Sequence, residues 1–327
     1  MSMAIAPTIE EIRAAHANLG HTIRRTPVIE MPVRECDANW TSSSQALLKL
    51  ELMQLTGTFK ARAALNGIMG LTADQRAKGV TAVSAGNHAV AVAFAAMSLG
   101  VSAKLVMLKT ANPLRVELTR GFGAEIEFAE DGKSAFARVQ QIEAEEGRYF
   151  VHPFEGRGPV TGTATLGWEW FEQCGAMDAV VIACGGGGLL AGVACAMKQL
   201  APSTRVFGVE PTGANGMFRS FQEDRPVTLQ SVSTIADSLA PPMTTPYTFS
   251  VCKRYVERII LVDDEAIRDA MKILLYRAKL AVEPAGAVAL AGVLTGLREP
   301  LQALRRIGIL VCGSNIDART YCSHINR

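Results

Sequence analysis

A run of four glycines is the first feature of the chain that could do chemistry. The run occupies Gly185, Gly186, Gly187 and Gly188, is followed by Leu189, and lies between an apolar strand pattern and a helix pattern. Backbone N–H groups at such a turn can converge on an anion, and the helix dipole adds to the attraction. The run therefore predicts a phosphate cup, although a tight turn or a dinucleotide loop would also use glycines.

Lys60 could supply an amine. It lies in the sequence TFKAR, at the start of a predicted helix. A lysine whose pKa is lowered by burial and by neighbouring cations can form a Schiff base with an aldehyde, and Phe59 is placed to help exclude water. The alternative is a solvated surface lysine.

Two further turns could present hydrogen-bond donors. The sequence SAGNH, residues 84–88, offers backbone donors that suit a carboxylate and an Asn87 amide that can donate to a phenolate oxygen. The alternative there is an ordinary capped helix with a satisfied histidine. Cys312 and Ser314, after the last predicted strand, could present a neutral S–H or O–H donor to a heterocyclic nitrogen, or could simply form a turn.

The elements around these segments alternate between strand and helix almost from end to end, which predicts an α/β protein with mostly parallel sheets. Each segment lies at the carboxyl end of a predicted strand or at a strand-to-helix turn, where open α/β sheets bind ligands. We predict a small domain, residues 76–149, inserted into a larger domain, residues 1–75 and 150–327, with the ligand in the cleft between them. The sequence predicts strands over 47–50, 80–83, 104–108, 126–128 and 307–311, and helices that begin after Thr8, at Pro113, near Lys133 and at Asp264, the last reaching Leu280.

The composition excludes several functional classes. The 327 residues are 49% hydrophobic, and 33 basic residues against 31 acidic residues leave a net charge of +2. No cluster of Lys and Arg is dense enough to predict nucleic-acid binding, and no apolar run is long enough to span a membrane. Seven cysteines without a C-x-x-C pair indicate reduced thiols. We therefore expect a cytosolic protein.

Taken in order, the sequences TFKAR, SAGNH, GGGGL, VEPAG and CGSNID resemble the fold-type II pyridoxal phosphate enzymes, and within them the threonine/serine dehydratase and serine racemase family. The resemblance covers nearly the whole chain and implies a two-domain, tryptophan synthase β-like fold. It also implies that pyridoxal phosphate is bound, with a Schiff base on Lys60. The implied cofactor contacts are Phe59 beside the cofactor, Asn87 at the ring hydroxyl, Gly185 to Leu189 at the phosphate, Cys312 at the pyridine nitrogen, and Glu283 near the ring-nitrogen end.

The resemblance implies an ammonia-lyase. Lys60 would remove the Cα proton of an L-β-hydroxy-amino acid, and the β-hydroxyl would leave, giving a 2-oxo acid and ammonia. The substrate could be threonine, serine, 3-hydroxyaspartate or phenylserine. The implied substrate-carboxylate residues are Ser84, Ala85, Gly86, Asn87 and His88, and Lys60 and Ser84 are the catalytic candidates.

Three alternatives remain open. They are an amino-acid racemase that uses the same cofactor, a nucleotide-binding oxidoreductase built on the glycine turn, and a non-catalytic ligand-binding protein. The racemases of the family place a serine immediately before the GNH turn, where this chain has Ala85. Because a methyl group cannot exchange a proton, we expect elimination to be faster than racemisation.

The resemblance also bears on metals and assembly. Related enzymes often bind a divalent cation in the segment that matches GVEPTGANGMFRS, where this chain has Glu210 but no second carboxylate. Hard cations prefer more oxygen ligands, so we do not expect a strong metal site, and Glu210 is the one candidate ligand. A homodimer is expected from the resemblance alone.

Overall fold

The fold consists of two twisted sheets with helices on their faces. The computed structural model describes residues 5–40, 42–84 and 86–326, and these contain ten β-strands and fourteen α-helices. The strands are β1 Val28–Pro32, β2 Gln45–Leu50, β3 Val80–Val83, β4 Ala103–Leu108, β5 Glu125–Ala129, β6 Tyr149–Phe150, β7 Ala179–Ala183, β8 Arg205–Pro211, β9 Arg258–Val262 and β10 Arg306–Val311. The helices are α1 Ile9–Leu19, α2 Lys60–Met69, α3 Ala73–Lys78, α4 Asn87–Ser98, α5 Pro113–Gly121, α6 Gly132–Glu146, α7 Arg157–Cys174, α8 Gly188–Leu200, α9 Gly216–Glu223, α10 Pro246–Tyr255, α11 Asp264–Tyr276, α12 Pro284–Leu294, α13 Arg298–Leu301 and α14 Ala318–Ile325.

The larger sheet has the strand order β1-β2-β10-β7-β8-β9, and the smaller sheet has the order β5-β4-β3-β6. Apart from the antiparallel pair β1–β2, all neighbouring strands are parallel. Parallel neighbours require crossover connections, which explains the alternation of helix and strand patterns in the sequence. The predicted α/β fold with mostly parallel sheets is confirmed.

The central strands are mostly apolar because helices cover both faces of the sheets. All five residues of β7, with the sequence AVVIA, are buried. Helix α12, which packs against β7, is almost wholly buried as well. A second apolar cluster surrounds the smaller sheet and includes Leu19 of α1 and Leu65 of α2. Since α2 packs on both α4 and α7, its first residue, Lys60, lies between the two sheets. The domain division at 76 and 149 stays a prediction.

Local signals predicted several helix ends well. Thr8 and Glu11 form the expected capping box of α1, and Asn112 caps α5 with Pro113 at the first helical position. The prediction that α11 reaches Leu280 is wrong, because Lys279 adopts a left-handed conformation with φ 61°. The helix ends at Tyr276, and the N–H of Leu280 turns back to the carbonyl of Leu274.

No helix in the described ranges is both long and apolar enough to cross a membrane.

Candidate active site

A cavity of about 380 Å³ brings the predicted segments together. Its lining includes Phe59, Lys60, Ser84, Gly86, Asn87, His88, Gly185, Gly186, Gly187, Gly188, Leu189, Glu283 and Cys312. Ser314, the other candidate donor after the last strand, is not part of this lining, and its Oγ atom donates to the Leu52 carbonyl at 3.4 Å. Ala85, the remaining predicted substrate residue, lies outside the described residues. Segments as far apart in the sequence as Phe59 and Cys312, which are separated by 253 residues, therefore share one site.

Lys60 is the first residue of α2, and its side chain faces the cavity. The amine donates a hydrogen bond to the carbonyl of Pro153 at 3.3 Å and lies 5.1 Å from the ring centre of Phe59. Desolvation lowers the pKa of Lys60 to about 8, against the opposing charge of Glu283. A substantial fraction of the amine is thus neutral near physiological pH, as a nucleophile or base requires.

The glycine run forms the turn from β7 into α8. Gly187 has φ 87°, a left-handed conformation that side chains rarely adopt. A Cβ atom on Gly186 would lie 2.5 Å from the ring of Phe154, and one on Gly187 would lie 2.5 Å from the Cε atom of Met217. In the described part of the chain no side chain caps α8, so its first N–H groups remain available to an anion in the cavity.

The turn at residues 84–88 leads from β3 into α4. The Ser84 Oγ atom accepts a hydrogen bond from the Gly86 N–H at 3.0 Å. The His88 Nε2 atom lies 2.8 Å from the Val151 carbonyl, which can only accept, so Nε2 carries the proton. Burial lowers the pKa of His88 to about 3, which keeps the ring neutral, and within the described ranges its Nδ1 atom has no partner.

Asn87 is engaged in a hydrogen-bond network. Its Nδ2 atom donates to the Oε1 atom of Glu283 at 2.7 Å and to Ser238 Oγ at 3.1 Å, and its Oδ1 atom accepts from Asn315 Nδ2 at 2.9 Å. Both Nδ2 hydrogens are thus donated, so the predicted contact with a ring hydroxyl would have to replace one of these two bonds. Glu283 also accepts from the Asn315 N–H and from Arg115, which places it at the centre of this network.

The Cys312 side chain is a neutral thiol. Its sulfur lies 3.4 Å from the Ala285 carbonyl, to which the S–H group donates. Burial raises the pKa of Cys312 far above its usual value, and the charge of Glu283 acts in the same direction. The residue can offer a heterocyclic nitrogen no more than a weak acid.

Glu210 serves a structural role at the start of α9. Its Oε1 atom accepts from the Met217 N–H at 2.9 Å, and its Oε2 atom accepts from the Phe218 N–H at 2.7 Å. Burial raises the pKa of Glu210 to about 8 in spite of these two bonds. Among the residues that the structure describes, no three His, Cys, Asp or Glu side chains are grouped as metal ligands would be.

Sequence reasoning missed an aromatic wall formed by Phe136, Phe150, His152 and Phe154. Neighbouring ring centres along the wall are 6.4, 5.7 and 4.8 Å apart, and each pair packs edge to face. Phe136, His152 and Phe154 line the cavity.

The wall carries no charge near neutral pH. The Nδ1 atom of His152 accepts from the N–H groups of Phe154 and Glu155, so its proton lies on Nε2. Burial lowers the pKa of His152 to about 4. The wall is therefore suited to an uncharged, flat group.

The cavity fits pyridoxal phosphate on its own features. A partly neutral lysine amine can bind the aldehyde, the start of α8 can bind the phosphate, and a neutral thiol lies in the same lining. A dinucleotide site would need neither the lysine nor the thiol.

Comparison with known proteins agrees with this interpretation. The family described as "Pyridoxal-phosphate dependent enzyme" matches residues 20–313. A phenylserine dehydratase from Ralstonia pickettii is 50% identical over 319 residues, covering 98% of this chain and 96% of the relative. A catabolic L-threonine dehydratase from Staphylococcus aureus is 36% identical over 313 residues, covering 95% and 89%.

Solved structures show the same fold. Maize serine racemase superposes with a TM-score of 0.92 at 34% identity, covering 98% of each chain. The processed form of threonine deaminase isoform 2 from Solanum lycopersicum superposes with a TM-score of 0.89 at 29% identity, covering 98% of this chain and 94% of the other.

The predicted fold-type II architecture, the predicted cofactor and the predicted class, a lyase of the dehydratase type, are confirmed by these matches. The chain belongs to the family of pyridoxal-phosphate dependent enzymes.

Proposed function

We propose that this enzyme is an ammonia-lyase whose preferred substrate is a β-hydroxy-amino acid with an aromatic β-substituent, such as phenylserine. The aromatic wall carries this proposal, because it gives the cavity a neutral surface of ring edges and faces. The 50% identity to a phenylserine dehydratase supports it.

The wall favours a phenyl group over a methyl group for two reasons. Edge-to-face ring pairs contribute about 0.5–1.5 kcal/mol beyond the area that they bury. A phenyl group also buries more apolar surface than the methyl group of threonine, at about 25 cal/mol per Å². Together these contributions correspond to a preference of roughly tenfold or more in kcat/KM.

Lys60, the glycine run and Cys312 each receive a role in this proposal. When bound, pyridoxal phosphate supplies the electron-withdrawing conjugated ring. The Lys60 amine takes the Cα proton of the substrate, which its lowered pKa allows near neutral pH. The N–H groups of Gly185 to Leu189 would hold the phosphate, and the neutral thiol of Cys312 would serve the ring nitrogen.

The turn at residues 84–88 is proposed to hold the α-carboxylate of the substrate. The backbone N–H groups of Asn87 and His88 lie in the first turn of α4, where the helix dipole favours an anion. Ser84 shapes this turn through the bond between its Oγ atom and the Gly86 N–H. We therefore assign proton transfer at Cα to Lys60 and carboxylate binding to Ser84.

Substrate preference tests the proposal. The holoenzyme is assayed with L-phenylserine, L-threonine and L-serine, and 2-oxo acid and ammonia are both measured. We expect kcat/KM for phenylserine to exceed that for the two aliphatic substrates at least tenfold. A preference for threonine or serine would refute the aromatic assignment and leave a threonine/serine dehydratase.

A matched pair of variants tests the wall itself. Phe136 and Phe128 are similarly exposed, at 44% and 41%, but Phe136 lines the cavity and Phe128 does not. Phe136→Ala should lower kcat/KM for phenylserine several-fold relative to threonine, whereas Phe128→Ala should leave the ratio unchanged. Equal ratios in the two variants would contradict the role of the wall.

Lys60→Ala tests the covalent role. The variant should lose turnover and should retain no cofactor that borohydride fixes to the protein, because the amine is missing. Lys109→Ala, which removes an exposed lysine paired with Glu130, is the control and should behave like the natural protein. Turnover by Lys60→Ala would refute the assignment.

We also propose that the enzyme is a cytosolic homodimer, as the resemblance implies. Light scattering of the purified protein measures the oligomeric state, and a monomeric mass would refute the dimer.

A further inference from the structure

The charged part of the cavity lining centres on Arg115, a residue of α5 to which no role has been assigned above. Its Nη1 and Nη2 atoms donate to the two carboxylate oxygens of Asp237 at 2.6 and 3.1 Å. Nη2 also lies 3.3 Å from the Oε2 atom of Glu283, and Nε donates to the Asn315 carbonyl at 2.9 Å. Arg115 and Asp237 both line the cavity.

The two carboxylates around Arg115 are held very differently. The Glu283 side chain is 2% exposed and also accepts from Asn87 and from the Asn315 N–H. The Asp237 side chain is 57% exposed and lies at the mouth of the site. An exposed carboxylate gives up little when it moves away from a cation, because water solvates it again. Asp237 is therefore the weakly held partner of a buried guanidinium.

Arg115 also packs against the turn that we propose for the substrate carboxylate. A Cβ atom on Gly86 would lie 2.7 Å from both the Cδ and the Nη1 atoms of Arg115. The guanidinium group thus lies next to the backbone of this turn. A glycine at position 86 is what permits so close an approach.

We propose that Arg115 anchors the α-carboxylate of the substrate and that Asp237 is an exchangeable counter-ion, which the incoming carboxylate displaces. This inference rests on the proposed function, in which an amino acid binds with its carboxylate at the turn. The exchange keeps the charge balanced, since one carboxylate replaces another beside Arg115 and Glu283. A guanidinium group can bind either carboxylate through two parallel hydrogen bonds.

Binding measurements on two ligand pairs test the exchange. L-Phenylalanine lacks the β-hydroxyl group and cannot lose water, and L-phenylalaninamide in addition lacks the carboxylate. The aliphatic pair is L-2-aminobutyrate and its amide. Titration calorimetry on the holoenzyme gives the Kd of each ligand for the natural protein and for the variants Asp237→Asn, Arg115→Lys and Arg115→Met.

We expect Asp237→Asn to tighten binding of the carboxylate ligands at least threefold, because their competitor is weakened, and to leave the amides unchanged. Arg115→Met should weaken the carboxylate ligands at least tenfold, and Arg115→Lys should weaken them less. The matched control is the surface pair Arg138–Glu127, which is also bidentate and lies away from the cavity. Arg138→Met and Glu127→Gln should change no Kd.

The decision rests on Asp237→Asn, since Asp237 is exposed and its replacement does not require the core to repack. If this variant weakens both carboxylate ligands or leaves them unchanged, the pair is a fixed link between α5 and the 237–239 segment, and the proposal is overturned. If the aliphatic pair responds as expected while the aromatic pair does not bind, the substrate class is wrong but the role of Arg115 stands.

Discussion

Replacing Arg62 with methionine tests how the helix that carries Lys60 is held in place. Arg62 is fully buried in the first turn of α2, and it donates to both carboxylate oxygens of Glu51 at 2.8 and 2.9 Å and to Glu169 at 2.9 Å. The Lys49 ammonium completes the group through a bond to the other oxygen of Glu169. The two positive charges of Arg62 and Lys49 thus balance the two negative charges of Glu51 and Glu169 in the core.

The methionine side chain removes one cation and leaves two buried carboxylates facing one ammonium group. Breaking a buried ion network in this way costs about 3–5 kcal/mol, because the remaining charge is desolvated and uncompensated. For a chain of 327 residues that unfolds cooperatively, each kcal/mol lowers the Tm by roughly 1.5 °C. Arg62→Met should therefore lower the Tm by about 4–7 °C.

Scanning calorimetry on the cofactor-free protein measures this loss. Arg205→Met is the matched control, since Arg205 makes a bidentate pair with Glu257 at the surface, and it should cost at most about 1 kcal/mol. The double variant Arg62→Met, Glu51→Gln restores the charge balance and should regain part of the lost Tm. Equal losses for Arg62→Met and Arg205→Met, or no recovery in the double variant, would refute the argument.

Three further predictions concern the cofactor, metals and the course of the reaction. Because the pKa of Lys60 is lowered to about 8, cofactor-free protein should take up pyridoxal phosphate about tenfold faster at pH 9 than at pH 7, and the rate should level off above pH 9. A rate that continues to rise towards pH 10.5 would contradict the lowered pKa. Exhaustive chelation should leave most activity intact, since both carboxylate oxygens of Glu210 already accept hydrogen bonds from backbone N–H groups. A loss of activity that only magnesium or calcium restores would disprove this. In deuterated water with L-serine or L-threonine, 2-oxo acid should form much faster than the D-isomer, because the residue immediately before Gly86 is Ala85, whose methyl group cannot exchange a proton. Comparable rates would favour a racemase.

The parts of the site that could be predicted from sequence are those with a local signature. A strand pattern, a glycine run and a helix pattern in succession place a turn at the end of a parallel strand, and such turns meet at one edge of a sheet. Lys60, the turn at 84–88, the glycine run and Cys312 all lie at such positions, and the structure brings them to one cavity.

Helix α7 shows why other elements were not predicted. It runs from Arg157 to Cys174 through several glycines and threonines, which are poor helix formers. These small residues serve close packing instead. A Cβ atom on Gly162 would lie 2.6 Å from the carbonyl oxygen of Arg62, so α7 can approach α2 only because it has a glycine there. Tertiary contact outweighs local propensity in this helix.

The network around Arg115 has no local signature at all. Its partners Asp237, Glu283 and Asn315 follow it by more than a hundred residues, and the longest separation, to Asn315, is 200 residues. Glu283 and Asn315 lie in the sequences VEPAG and CGSNID, but neither sequence indicates a contact with Arg115, and Asp237 is an ordinary polar residue in its own segment. These residues become neighbours only because α5 lies close to the segments that follow strands of the larger sheet. Residue spacing in the sequence therefore could not have predicted the network.

The aromatic wall could be predicted from the sequence only in part. Phe150, His152 and Phe154 alternate in the sequence, and alternate residues of an extended segment face the same side. In the structure the strand ends at Phe150 and the backbone bends at Pro153 and Phe154. This period was visible in the sequence and could have predicted an aromatic face. What the period could not predict is that α6 brings Phe136 to the same face, where it is 44% exposed and borders the cavity. Because Phe136 comes from a different element, its replacement should alter the preference for the β-substituent without moving Lys60 or the glycine turn.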